Sequence, residues 1–330
     1  MQNRRVVIPR PGGPEVLQVI SEELGPPQGD EAQVRVLASG VAFGDVFKRR
    51  GLTGVVSPKM PFTPGYDLVG VVESLGPACS RVKSGDRVAV FVMNGANTER
   101  ANVSDKLLVP IPTDVDPVEA LCLILNYVSA EQMLHRIAGI EPGQRVLVHG
   151  AAGGVGTALL QLGKLEGLEL YGTASKPKHD LVKELGAIPI DYKNEDFVER
   201  VLALTGDGVD LVLDPIGGSH LGLSRRALRR GGKLVAYGAS SAVEGGFSRI
   251  ASSLLRLLLY KLMPDGRSYR FYGIRDQRTI QEDLKRLLDL LAQNKLRPVI
   301  GARLALSEAV KAHQMLEAAA VTGKIVLVPD

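Results

Sequence analysis

The chain contains no tryptophan, and aromatic residues fill only 5% of its 330 positions. That scarcity argues against a surface built to stack nucleic-acid bases. An excess of one charge is also missing. Forty Lys and Arg against 36 Asp and Glu give a net charge of +4, too weak a field over this length to hold nucleic acid. Cysteine is nearly absent: Cys79 and Cys122 stand alone, neither in a CxxC pair. A disulfide framework and a thiolate zinc cluster are thereby excluded, and both residues read as small buried hydrophobes. The five histidines, His135, His149, His179, His220 and His313, show no ligand spacing, so the expectation is no metal and five surface or packing residues. Long apolar runs are lacking as well. The richest, "SLLRLLLYKLM" at 253–263, is interrupted by Arg256 and Lys261 and is too short to span a bilayer. The first residues, "MQNRRVVIPRPGGPEVL", have no apolar segment of the signal-peptide kind. Together these absences lead us to expect a cytoplasmic protein with no integral membrane segment.

What is present is an ordinary globular composition, 45% hydrophobic with 37 Gly and 19 Pro, on a chain long enough for two domains. Residues 1–126 read as short strands and turns. "AQVRVLASGVAF", "YDLVGVVESLG" and "SGDRVAVFVM" are strand-like, and Pro58, Pro61, Pro64, Pro110, Pro112 and Pro117 exclude long helices. From about 127 the rhythm changes to alternation. Strands are expected at 145–149, 168–172, 188–191, 209–214, 233–238 and 269–274. Helices are expected between them at 154–166, 178–185, 195–204, 219–229 and 248–263. This is the pattern of a parallel sheet with helices on both faces, an α/β doubly wound Rossmann domain over 127–295. A further helix, "QEDLKRLLDLLAQNKL", closes that region, and the tail 296–330 is expected to return to the first, mostly β domain.

One stretch carries chemistry. "HGAAGGVG" at 149–156 follows the apolar strand "RVLV" and opens a helix with Val155, Ala158, Leu159, Leu162 and Leu165 on one face. Gly153 and Gly154 allow a sharp turn and close approach of a ligand, and Gly156 allows close helix packing. The free amides at the helix start suit a pyrophosphate, so a dinucleotide site is expected here. At the end of the next strand, where an acidic residue would select NAD, the sequence reads "YGTASKPKHD". Thr173, Ser175, Lys176 and Lys178 suit a 2′-phosphate, which points to NADP(H).

These residues resemble a known family. "HGAAGGVGTALLQLGKLEGLELYGTASKPKHDLVKELGAIPIDY" is similar to the zinc-independent quinone oxidoreductases of the medium-chain dehydrogenase/reductase superfamily. "GGPEVLQV", "GVAFGDVFKRRG", "PFTPGYDLVGVV", "GDRVAVF", "NYVSA", "VDLVLDPIGG", "GGKLVAYG" and "TGKIVLVP" extend the likeness over essentially the whole chain. The branch it most resembles contains zeta-crystallin and the synaptic-vesicle membrane protein-like oxidoreductases. The resemblance implies a GroES-like catalytic domain, NADPH, a homodimer, and a small hydrophobic quinone or carbonyl substrate. Zinc-dependent members carry a Cys after the "GV" of the first segment and a "GHE" segment. Here "GVAFGD" and "GYD" stand instead, with Ala42 and Tyr66 at the metal-binding positions.

Carried over by motif, Ala152, Gly153, Gly154, Val155 and Gly156 would contact the cofactor phosphates. Ser175, Lys178 and Tyr192 would hold the 2′-phosphate. Gly238, Ala239 and Ser240 would line the nicotinamide side, with Tyr272, Gly273 and Ile274 beyond and Ser129 at a position usually held by Thr. Ala42 and Thr53 depart from the family's "GVNF" and "GLY", so its usual quinone pocket is not carried over. If the acceptor needs a proton, Tyr66 and Asp45 are the candidates. Two alternatives share these motifs. One is an enoyl-thioester reductase, for which "LSRRALRR" at 223–230 would offer a basic surface to a carrier arm. The other is a non-catalytic NADPH-binding protein. The helix around 248–263 is apolar on more than one side and is expected to roof a bulky acceptor or join a dimer contact, a peripheral membrane contact being the alternative.

Overall fold

A computed structural model describes residues 2–53 and 58–330; Met1 and residues 54–57, among them Gly54 of "GLTG", lie outside the described residues. The chain divides into two compact units, Met1–Val128 with Arg275–Asp330, and Ser129–Ile274.

The first unit is built on β-branched alternation. In Glu31–Val41, Ala32, Val34 and Val36 point to one side and are buried. Val88 and Val90 of Arg87–Phe91 meet them with Leu68 and Val72 of Asp67–Leu75. The sheet runs Ile300–Ala305, Lys324–Val328, Glu31–Val41, Asp67–Leu75, Arg87–Phe91, Leu108–Pro110, with Arg100–Ser104 also paired to Glu31–Val41. The tail thus enters this sheet through Lys324–Val328, antiparallel to Glu31–Val41. The return comes earlier than residue 296. Helix Gln277–Ala292 packs on segments 123–127 and 108–110 of this unit, burying Ile280, Leu284, Leu287, Leu288 and Leu291. Its periodicity shows that one face is covered but carries no mark of what covers it.

The second unit has six strands in the order Ala187–Asp191, Glu169–Ala174, Arg145–Val148, Val209–Asp214, Leu228–Ala236, Ser268–Phe271, all parallel. Each strand of the sequence reading overlaps the observed one, the largest difference being that the strand expected at 233–238 spans Leu228–Ala236. The order reverses between Arg145–Val148 and Val209–Asp214, and ligands of such sheets bind beyond the strand C-termini at that crevice. Helix Phe247–Lys261 buries Ser253 and Leu257, while Leu254, Leu255, Leu258, Leu259 and Leu262 are exposed. No helix among the described residues is long and apolar enough to cross a membrane.

Candidate functional site

The glycine-rich loop begins where strand Arg145–Val148 ends. Gly150 has φ +63°, a conformation that favours glycine. Helix Gly154–Leu165 starts from Gly153, and its first-turn amides have no helical carbonyl to bond. The two functional glycines differ in what surrounds them. A Cβ on Gly153 would meet only the Gly150 carbonyl oxygen, at 3.2 Å, whereas one on Gly156 would lie 2.2 Å from that oxygen and 2.8 Å from Ala151 backbone. Gly156 lets the helix press on the loop; Gly153 leaves the loop bare. Ala152 is buried, and Gly153, Gly154 and Val155 are half-buried.

Neighbouring parallel strands carry the next group. Ser175 and Lys178 follow Glu169–Ala174, where the Lys178 amide donates to the Ser175 carbonyl. Tyr192, which is exposed, and Lys193 follow Ala187–Asp191. Burial, then the charge of Lys193, lowers the Lys178 ammonium from its usual value. Two cations brought together at the strand ends favour an anion between them. Lys193 was missed in the sequence because only strand pairing sets it beside Lys178. Thr173 does not belong to this group. Its hydroxyl is buried, bonding His149 Nδ1 at 3.1 Å and accepting from the Gly150 amide at 3.3 Å.

That contact opens a buried chain of hydrogen bonds that the sequence did not reveal. His149 Nε2 lies 3.2 Å from Ser224 Oγ, and Ser224 Oγ donates to Asp214 Oδ2 at 2.7 Å. With the Ser224 proton so engaged, His149 carries its hydrogen on Nε2 and accepts from Thr173 on Nδ1. His220 Nδ1 donates to Asp214 Oδ2 at 2.9 Å, and Asp214 Oδ1 accepts the Ile216 and Gly217 amides. Burial pushes His149 down to about 3 against the pull of Asp214, so it is neutral. Burial works to raise the Asp214 carboxyl, but hydrogen bonds from His220 and Ser224 and the nearby histidines hold it below the usual range. The donor atoms of His149, Asp214 and His220 lie within 4.8 Å of one another, a grouping of histidines that spacing alone concealed. Each is already engaged in a hydrogen bond within the chain. The arrangement ties the base of the glycine-rich loop to the loop after Val209–Asp214.

That second loop, with Gly217 and Gly218 at φ +72° and +61°, pairs with the segment after Leu228–Ala236: Ser240 N donates to Pro215 O and Ser241 N to Ile216 O. A Cβ on Gly238 would lie 2.6 Å from Pro215 O, so the close approach requires glycine. Ala239 is buried, as is Ser129. Tyr272 is also buried, its hydroxyl donating to Gln132 Oε1 at 3.0 Å; Gly273 is exposed and Ile274 half-buried.

In the first unit, Asp45 and Tyr66 come together but have different surroundings. Asp45 is fully buried, and its oxygens accept the Ala42 amide at 3.0 Å and the Gly65 amide at 2.9 Å. It caps helix Phe43–Arg49 and fixes the "PGYD" turn, rather than standing open as a proton donor. Tyr66 is half-buried, with its hydroxyl against Gly44, where a Cβ would meet it at 2.5 Å. Burial, then the Asp45 charge, holds its phenol far above the usual value. Lys48 Nζ, from within "GVAFGDVFKRRG", sits 3.6 Å from the Tyr66 ring centroid.

The comparisons agree with this architecture. The family described as "Alcohol dehydrogenase GroES-like domain" matches residues 28–113, and that described as "Zinc-binding dehydrogenase" matches residues 185–327. The human synaptic vesicle membrane protein VAT-1 homolog is 32% identical over 332 residues, 96% of this chain and 84% of its own length. The rat quinone oxidoreductase is 30% identical over 324 residues, 96% of this chain and 94% of its own. The crystal structure of Escherichia coli quinone oxidoreductase complexed with NADPH superposes with a TM-score of 0.90 at 28% identity, covering 99% of this chain and 100% of that one. Glycine-rich loop, strand order and full-length likeness converge, and the chain belongs to the medium-chain dehydrogenase/reductase superfamily, among its quinone oxidoreductase-like members.

Proposed function

We propose that this protein is an NADPH-dependent, zinc-independent oxidoreductase that passes a hydride to a quinone or an α,β-unsaturated carbonyl. The observation that carries the reading furthest is the pairing of Lys178 with Lys193 at adjacent strand ends, beside a glycine loop left bare at Gly153. The NADPH complex of the similar Escherichia coli enzyme supports it. Residues 152–156 would hold the pyrophosphate, Ser175, Lys178, Tyr192 and Lys193 the 2′-phosphate, and residues 238–240 with Ser129 and residues 272–274 the nicotinamide end. When bound, the cofactor supplies the hydride. Tyr66 would supply a proton to the acceptor oxygen where one is needed, and an electrophilic quinone needs position and exclusion of water above all.

Replacing Lys178 with Ala is expected to weaken NADPH by about ten- to a hundredfold, with NADH little changed, because the lost charge faces only the 2′-phosphate. Fluorescence titration with both nucleotides checks this, and equal losses would refute the assignment. Zinc independence rests on Ala42 and Tyr66 at the positions that bind metal in zinc-dependent members. Activity is expected to survive prolonged chelation, and one tightly bound zinc per chain by elemental analysis would contradict it. We further propose a cytoplasmic homodimer, for which the edge strand Ser268–Phe271 and the exposed leucines of Phe247–Lys261 offer surfaces. Replacing Leu255 and Leu259 with Ser should shift the dimer–monomer balance in sedimentation, or raise KM for large quinones, without changing NADPH affinity. Loss of liposome binding alone would point to a membrane contact instead.

A further inference from the structure

Lys48 is an unusual residue to find buried. It is 4% exposed on helix Phe43–Arg49, and among the described residues no carboxylate bonds its ammonium. Nζ donates to the Met93 carbonyl and, at 2.9 Å, to Asn94 Oδ1, both neutral acceptors. It also lies over the face of Tyr66. A desolvated cation on an aromatic face is attracted by the ring quadrupole, yet burying it without an ion-pair partner is costly. Lysines held this way are a recurrent feature of functional sites.

We infer that Lys48 is a positioning residue whose fixed positive charge faces the Tyr66 phenol and meets the negative charge that develops when that phenol protonates the reduced acceptor. The inference rests on the hydride-transfer reading above. Once the acceptor has gained a hydride, its oxygen carries the extra electron pair. That oxygen forms a bond to the Tyr66 proton, the Tyr66 O–H bond breaks with its electrons left on the phenolate, and water restores the proton after product leaves. A phenol gives up its proton more readily where a cation stands near the anion it leaves, and Lys48 Nζ is 3.6 Å from the Tyr66 ring centroid. A charge already in place does this without reorganisation.

The surroundings define the pH dependence. Burial pushes the Lys48 ammonium down to about 8, opposed by Asp45 one turn back on the same helix. Asp67 acts on Asp45 in turn. From the helix Ala309–Glu317, His313 and Glu317 engage Arg49 and Arg50 rather than Lys48. Lys48 is therefore charged below about pH 8 and neutral above it.

The test compares wild type with Lys48→Gln and Lys48→Arg. Gln keeps a donor for the Met93 carbonyl but no charge; Arg keeps both. In wild type, kcat for enone reduction is expected to fall as pH rises through about 8. Lys48→Gln is expected to lower kcat by about a hundredfold at neutral pH and to lose that limb. Lys48→Arg should retain most of kcat, with no limb near 8 because Arg stays protonated. A second readout needs no turnover: para-nitrophenolate, an aryl oxyanion, should bind wild type and Lys48→Arg, and Lys48→Gln about tenfold or more weakly. Equal kcat, pH profile and para-nitrophenolate binding in wild type and Lys48→Gln would overturn the inference, as would rescue by Gln, which would make Lys48 a loop anchor. Charge-dependent para-nitrophenolate binding in a protein that oxidises NADPH with no acceptor would overturn the hydride-transfer reading and leave the Lys48 assignment standing.

Discussion

Gly153→Val is expected to leave the protein folded and to weaken NADP(H) binding by about a hundredfold or more. Gly153 has φ −81° and ψ 176°, extended backbone that valine adopts freely. Its Cβ would meet only one carbonyl oxygen, at 3.2 Å, so the loop has to yield by no more than a few tenths of an ångström. The space the branch fills is the approach to the first-turn amides, and each charge-assisted hydrogen bond lost there is worth about 1.5–3 kcal/mol. Gly156→Val should behave in the opposite way. A Cβ 2.2 Å from the Gly150 oxygen cannot be accommodated without lifting the helix off the loop, so this variant should lose structure as well as binding. Circular dichroism with NADPH titration separates the two. Normal NADPH binding by Gly153→Val would mean the loop is only a turn.

The other large effect is on stability. Lys324 Nζ lies 2.6 Å from Asp67 Oδ2, with the two side chains 2% and 0% exposed. Among the described residues, Asp67 Oδ1 has no hydrogen-bond partner. Gly40 makes room for the pair, since a Cβ there would lie 2.1 Å from Asp67 Oδ1 and 2.5 Å from Lys324 Nζ. Removing one member of such a buried pair strands the other, at a cost of about 3–5 kcal/mol. Lys324→Met should lower the urea midpoint accordingly. The double variant Asp67→Val with Lys324→Met should recover most of the loss, because apolar replacement of both partners is often neutral. A single variant as stable as wild type would show that the pair contributes nothing.

The sequence revealed most where a motif and a period coincide. "RVLVHGAAGGVG" announces strand, turn and helix together, and the six strands of the second unit follow from continuous apolar runs bounded by turns. It revealed least where meaning depends on register. Thr173 and Ser175 look alike in "GTAS", yet strand geometry turns Thr173 inward to His149 and leaves Ser175 at the strand end. Lys193 and Lys178 are brought together by parallel pairing, and His149, Asp214, His220 and Ser224 by crossovers between strands. Asp45 and Tyr66 stand out as candidates in "GVAFGD" and "GYD", but whether a carboxylate caps a helix or faces a ligand is decided by which amides it meets. Lys48 lies within "GVAFGDVFKRRG" with no spacing that singles it out, and only burial makes it stand out.

The central claim is NADPH-specific hydride transfer to a conjugated carbonyl or quinone. Its most direct test is the initial rate of NADPH oxidation by the purified protein, with NADH in parallel, across a panel of quinones, enones and enoyl thioesters. We predict rapid oxidation of NADPH with at least one quinone or enone and much slower oxidation of NADH. No oxidation with any acceptor, or equal rates with both nucleotides, would contradict the account.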